Sequence, residues 1–236
     1  VVSVAGDAAE IIDEVRAFDR ALTATFVILA AVLLLLSFAM LSQRRILSLI
    51  NLFALQGMVL VLSTGVVGWL TGQGHLYWSA AITLVLKVGL LPWILHRLIR
   101  KLNVKWDVEP LINVPTTMLV GLVLVILAFN LALPISAFAG TVTRSTLGIA
   151  LASVLLSFLM MITRSKAVPQ VIGFLAMENG LFFAATSATY GMPMVIELGI
   201  SFDVLIGVII LGVFFFQIRE RFDSLDIRHL ERLKEE

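Results

Sequence analysis

Lys87, Glu178 and Asp203 each stand near the middle of a long apolar run. A charge at such a position costs roughly 2.5–3.5 kcal/mol on membrane-insertion scales, so it needs a partner or a wet cavity. Glu178 lies in Phe174-Leu-Ala-Met-Glu-Asn-Gly180, and Asp203 closes Ile196-Glu-Leu-Gly-Ile-Ser-Phe-Asp203. A Tyr190-Gly-Met-Pro193 turn separates the two, so residues 168–217 read as a hairpin of two spanning helices with one carboxylate each. The chemistry this suggests is a lateral proton or ion relay. Desolvation favours the neutral form of a carboxyl group, which can then hold a proton and release it when a cation approaches. Lys87 supplies the cation and can itself carry a proton. Gln56 and Glu197 extend the set. The competing reading is a static ion pair, Lys87 with Asp203 or Glu178, that only ties helices together. Gln56 could equally be an interhelical hydrogen-bonding amide, and Glu197 could snorkel to the interface.

The elements that position these residues follow from composition. The chain has 236 residues, 60% hydrophobic and 14% charged; soluble domains carry about 25% charged residues. Apolar runs of about twenty residues recur, which marks a multi-span membrane protein. They are continuous rather than alternating, which selects helices over a barrel. The fold class is therefore an all-α integral membrane protein. A net charge of +1 gives no case for nucleic acid, and the absence of cysteine excludes disulfides, thiolate metal sites and thiol catalysis. The histidines, His75, His96 and His229, form no ligand-spaced cluster, and no phosphate-binding loop is present. The chain is expected to hold no cofactor or metal of its own.

Residues 1–20 form an acidic, mildly amphipathic lead without the basic start of a cleaved signal peptide. Residues 21–113 hold three spans (about 21–41, 47–69 and 77–96) and a polar loop. Residues 114–144 hold the fourth span (about 115–133) and a small-residue loop. Residues 145–217 hold the fifth (about 145–162) and the hairpin, and 218–236 are a charged tail. The tail reads as a helix that lies on the membrane, docks on a neighbouring subunit or is simply solvated. The connections after spans one, three and five, with the tail, hold every Lys and Arg except Arg16, Arg20, Arg144 and Lys87. The positive-inside rule then gives seven spans, N-terminus outside and C-terminus cytoplasmic.

Counted from the span ends, Glu178, Lys87, Asp203 and Gln56 all lie about nine or ten residues in, roughly 15 Å deep, while Glu197 sits nearer the outer mouth. A weak repeat at an offset of 122 pairs Ala54-Leu-Gln56 with Ala176-Met-Glu178, Thr64 with Thr186 and Arg97 with Arg219. An even number of spans separates the copies, so they would be parallel. Recurrence of short basic turns alone would give the same pattern. Glycines at 173, 180, 199, 207 and 212 suit close helix contacts.

The segments Phe174–Gly180, Ile196–Ile200 with Asp203, Leu225-Asp-Ile227, Arg45–Leu60 with Gln56, and Leu86-Lys-Val88 leading to Pro92 resemble hydrogenase-4 component E from about residue 22 onward. That family belongs to group-4 [NiFe] hydrogenase and formate hydrogenlyase complexes and related assemblies. The C-terminal half is in turn similar to the K subunit of complex I, whose intramembrane glutamates would correspond to Glu178 and Asp203. Here the second acid is Asp, the two acids are closer in sequence, and Lys87 has no K-subunit counterpart. The resemblance implies a non-redox subunit in a bacterial inner membrane. Its partners would be antiporter-like and quinone-module-like membrane subunits, with a peripheral hydrogenase arm as an optional addition, and nickel–iron and iron–sulfur centres would belong to those partners. A stand-alone small-solute transporter and a purely structural assembly subunit are the alternatives.

Overall fold

The structure, a computed structural model, describes residues 2–102, 111–136, 141–189 and 209. Regular structure among them is helical, with no strand. The helices are α1 (Val2–Ser42), α2 (Ile46–Thr71), α3 (His75–Thr83), a π-helical segment (Leu84–Leu90), α4 (Leu91–Leu102), α5 (Val114–Ser136), α6 (Thr141–Thr163) and α7 (Ala167–Thr189). Backbone angles stay helical through both junctions of the π segment, so α3, π and α4 form one rod. Among the described residues, six helices are long and apolar enough to cross a membrane. They match the first six predicted spans. The second helix of the expected hairpin, with Glu197 and Asp203, lies outside the described residues. So do the tail 218–236 and residues 103–110 of the polar loop.

One boundary differs from expectation. The acidic lead and the first span form a single helix, α1, rather than separate elements. No proline or glycine interrupts the sequence between Asp7 and Ser42, so nothing ends the helix at the water boundary. The Asp13–Arg16 pair on this extension, at 3.8 Å and well exposed, adds little.

Two antiparallel hairpins, α1–α2 and α6–α7, form the centre, with α1 against α6 and α2 against α7. These are the helix pairs that the weak repeat matches. The α3–π–α4 rod lies on α2, and α5 covers α6 and α1. The large exposed side chains are mainly apolar, including Leu35, Leu62, Trp78, Val123 and Leu133, as a lipid-facing surface requires.

The hairpin turns meet at one end of the bundle. Arg164, between α6 and α7, is buried, and its Nη2 donates to the carbonyls of Met40 (3.2 Å) and Leu41 (2.7 Å). These belong to the last turn of α1, whose carbonyls lack helical partners and attract a cation. Burial, and next Arg44, push the guanidinium down to about 10, so it remains charged at neutral pH. Arg164 thus ties one hairpin to the other. The turn is closed further by Gln170 Nε2 donating to the Arg164 carbonyl at 2.9 Å and Leu111 N donating to that of Thr163 at 2.9 Å.

Glycine sets the spacing of α6 and α7. A Cβ at Gly173 would stand 3.1 Å from Met161 N, 3.2 Å from Met161 Cα and 3.2 Å from Ser157 O, all backbone atoms that cannot rotate away. One at Gly180 would stand 2.9 Å from Val154 Cγ2 and 3.2 Å from Val154 N. Gly173→Ala is expected to lower stability by about 1–3 kcal/mol through overpacking. Gly65→Ala, where a Cβ meets nothing within 4 Å, should be neutral or stabilise by up to about 1 kcal/mol. Apparent melting temperatures of the two purified variants in detergent check the contrast.

Candidate functional site: a buried lysine–glutamate pair

Lys87 is carried by the π segment. Pro92 follows five residues later; it has no N–H to give Val88, and in an α-helix its ring would press on the Val88 carbonyl. Ahead of it the backbone adopts the wider register, with Leu91 N donating to Leu86 O, five residues back. Such insertions recur at functional sites. On the other side of Lys87, Gly57 lets α2 lie directly against the rod. A Cβ there would be 3.3 Å from Lys87 Cβ and 3.1 Å from Val88 Cγ2.

From this position Lys87 reaches α7. Its Nζ donates to both carboxylate oxygens of Glu178, at 2.7 and 2.8 Å, and to Asn179 Oδ1 at 3.2 Å. The three donors of the ammonium group are thereby used. The Phe182 ring lies beneath the charge, with its centroid 4.7 Å from Nζ, which adds attraction through the ring quadrupole. The side chains are 2% and 12% exposed for Lys87 and Glu178, respectively. Of the two acids weighed as partners for Lys87, Glu178 makes the contact; Asp203 lies outside the described residues.

Gln56, one residue before Gly57, is fully buried, and its Nε2 donates to Ser37 Oγ of α1 at 3.0 Å. This bond joins α2 to α1. Gln56 Oε1 and Asn179 Nδ2 are buried with no hydrogen-bond partner among the described residues. Buried polar atoms in that state are uncommon and call for water or a further group.

Asn179 and Phe182 were not singled out from the sequence. Both were discoverable: Asn179 adjoins Glu178, and Phe182 stands four residues on, where helical side chains share a face. Arg164 was read only as a topology marker, and nothing in a short basic turn distinguishes a buried arginine from a solvated one. Among the described residues no group of three or more His, Asp or Glu could hold a metal ion.

Removing one partner of a buried pair leaves the other charged and unpaired, at a cost of about 3–5 kcal/mol, whereas replacing both with apolar groups is often neutral. Lys87→Met and Glu178→Leu are each expected to destabilise by that amount, and the double variant to recover most of it. A double-mutant cycle on thermal stability measures the coupling, and additive losses would refute it.

The uncharacterized protein Rv0085 of Mycobacterium tuberculosis (strain ATCC 25618 / H37Rv) is 31% identical over 204 residues, covering 86% of this chain and 93% of that protein. No family model matches the chain, and no solved structure matches it. The identity extends over nearly all of both sequences, and the chain belongs to the same family as this mycobacterial protein.

Proposed function

We propose that the chain is a non-redox membrane subunit of an energy-converting assembly of the complex I-like or group-4 hydrogenase type. In it, Glu178, Lys87 and Asp203 carry protons or sodium ions within the inner membrane, with Gln56 and Glu197 beside the path. The reading is carried by one observation: a lysine and a glutamate, paired through both carboxylate oxygens at 2.7 and 2.8 Å, lie inside a bundle of membrane-length helices. Ionisable groups in such positions mark ion paths or proton relays by default. The unpartnered Gln56 Oε1 and Asn179 Nδ2 add sites where water could join the relay. The motif resemblance to hydrogenase-4 component E supplies the kind of assembly. Its partners would be antiporter-like and quinone-module-like membrane subunits, and metal centres would sit in those partners.

A static clamp is the second reading. It draws on the saturation of Lys87, whose donors are all engaged. Glu178→Gln separates the two, because the amide keeps the shape and loses the charge. After mild-detergent purification, the variant chain is expected to bring down the same membrane subunits as the native one. Ion movement coupled to turnover should fall at least tenfold. Full coupling would refute the relay, and loss of the partner subunits alone would favour the clamp.

A further inference from the structure

The buried row that runs through Lys87 on its own rod differs in kind between its two sides. Along the α3–π–α4 rod the positions 79, 83, 87, 91, 95 and 99 are Ser, Thr, Lys, Leu, Leu and Ile, and all six are buried at 2% exposure or less. In an unbroken α-helix each four-residue step advances about 40°, so such a row would wind off the interface. The wider π turn takes part of that advance back and keeps the row on one face. Toward the α2–α3 turn it is hydroxyl; toward the end that carries Arg44, Arg45, Arg164 and Lys166 it is aliphatic.

The neighbouring helices add further hydroxyls to the polar tier, beside a second apolar cluster that includes Leu60, Val67, Leu76 and Phe183. The contacts of Gly57 with Lys87 and of Gly68 with Leu76 fix the antiparallel register of α2 on the rod. That register sets Ser63 and Thr64 level with the 79–83 stretch. Glu178 is level with Gly57 through Lys87, so Thr186 and Ser187 of α7 fall in the same tier. These hydroxyl residues are all buried, and Thr64 Oγ1 has no hydrogen-bond partner among the described residues. In the other half, Ile46, Leu49, Ile50 and Phe53 of α2 join Leu91, Leu95 and Ile99 and α7 residues from Ala167 to Ala176 in one apolar cluster.

We propose that the Lys87–Glu178 pair has hydrated access from one side only, the side opposite the basic turns. Ser79, Thr83 and Thr64 form the path, and the apolar cluster around Ile50, Leu95 and Ile172 is the seal. This rests on the relay reading and adds its polarity: water, protons or a small monovalent cation reach the pair from the far end and leave sideways within the membrane.

The chain contains no cysteine, so an introduced thiol is the only one on it and is read on the chain once it has been separated from its partners by denaturing electrophoresis. Ser79→Cys, Thr83→Cys and Thr64→Cys sample the path; Ile50→Cys, Leu95→Cys and Ile172→Cys sample the seal. Silver ion, small enough for a narrow wet file, is added to one face of oriented membrane vesicles holding the assembled complex. Thiols left unreacted are then counted with a maleimide after denaturation. Path thiols are expected to react at least tenfold faster from the face opposite the basic turns, and seal thiols to stay unreacted from either face. Path thiols inert from both faces, or faster from the basic face, would overturn the proposal, as would seal thiols that react as fast as path thiols. The relay fails separately: full coupling in Glu178→Gln removes it while leaving the silver pattern intact.

Discussion

Holding the Lys87 ammonium group out of water constrains the rest of this bundle. Desolvating an ammonium and a carboxylate costs several kcal/mol per ion even after relaxation, and their attraction offsets this only when geometry is good and remaining donors are satisfied. The surroundings meet those terms one by one. Gly57 admits the Lys87 backbone against α2, and the π turn ahead of Pro92 supports the register that aims the side chain at α7. Glu178 supplies two acceptors, Asn179 a third, and Phe182 a ring face. Behind α7, Gly173 and Gly180 let α6 close in. Enlarging Gly57, which abuts Lys87, acts on the pair as well as on packing.

Much of the arrangement was legible because depth in a membrane helix is a count of residues. Placing Lys87, Glu178 and Gln56 at a common depth needed only the span ends and the helical rise, and the structure puts Lys87 in contact with Glu178 and against Gly57, the neighbour of Gln56. Azimuth is another matter. Two acids at equal depth could not be told apart as partners for Lys87, because which helix lies beside which depends on three-dimensional packing. The π turn was invisible for a related reason: Pro92 signals a disturbance in the helix, but not whether it resolves as a kink or as a wider turn. Arg164 shows the same limit at the bundle end, where a residue that counts toward topology by its charge is also buried and caps α1.

Pairing and proton movement are compatible in this geometry. Lys87 Nζ and Glu178 Oε1 are 2.7 Å apart, so a proton can pass between them without either helix shifting. The transfer exchanges an ion pair for a neutral pair. The polar atoms beside the pair with unused capacity are the buried amides, Asn179 Nδ2 and Gln56 Oε1, which no described residue engages. Toward the basic turns, the described α2, α4 and α7 faces meet in an apolar cluster. A proton released at Glu178 would then find hydrogen-bonding groups beside it in the membrane plane and toward the hydroxyl tier. Under the proposed function, that asymmetry would let a buried pair pass charge sideways to a neighbouring subunit without opening a leak across the bilayer.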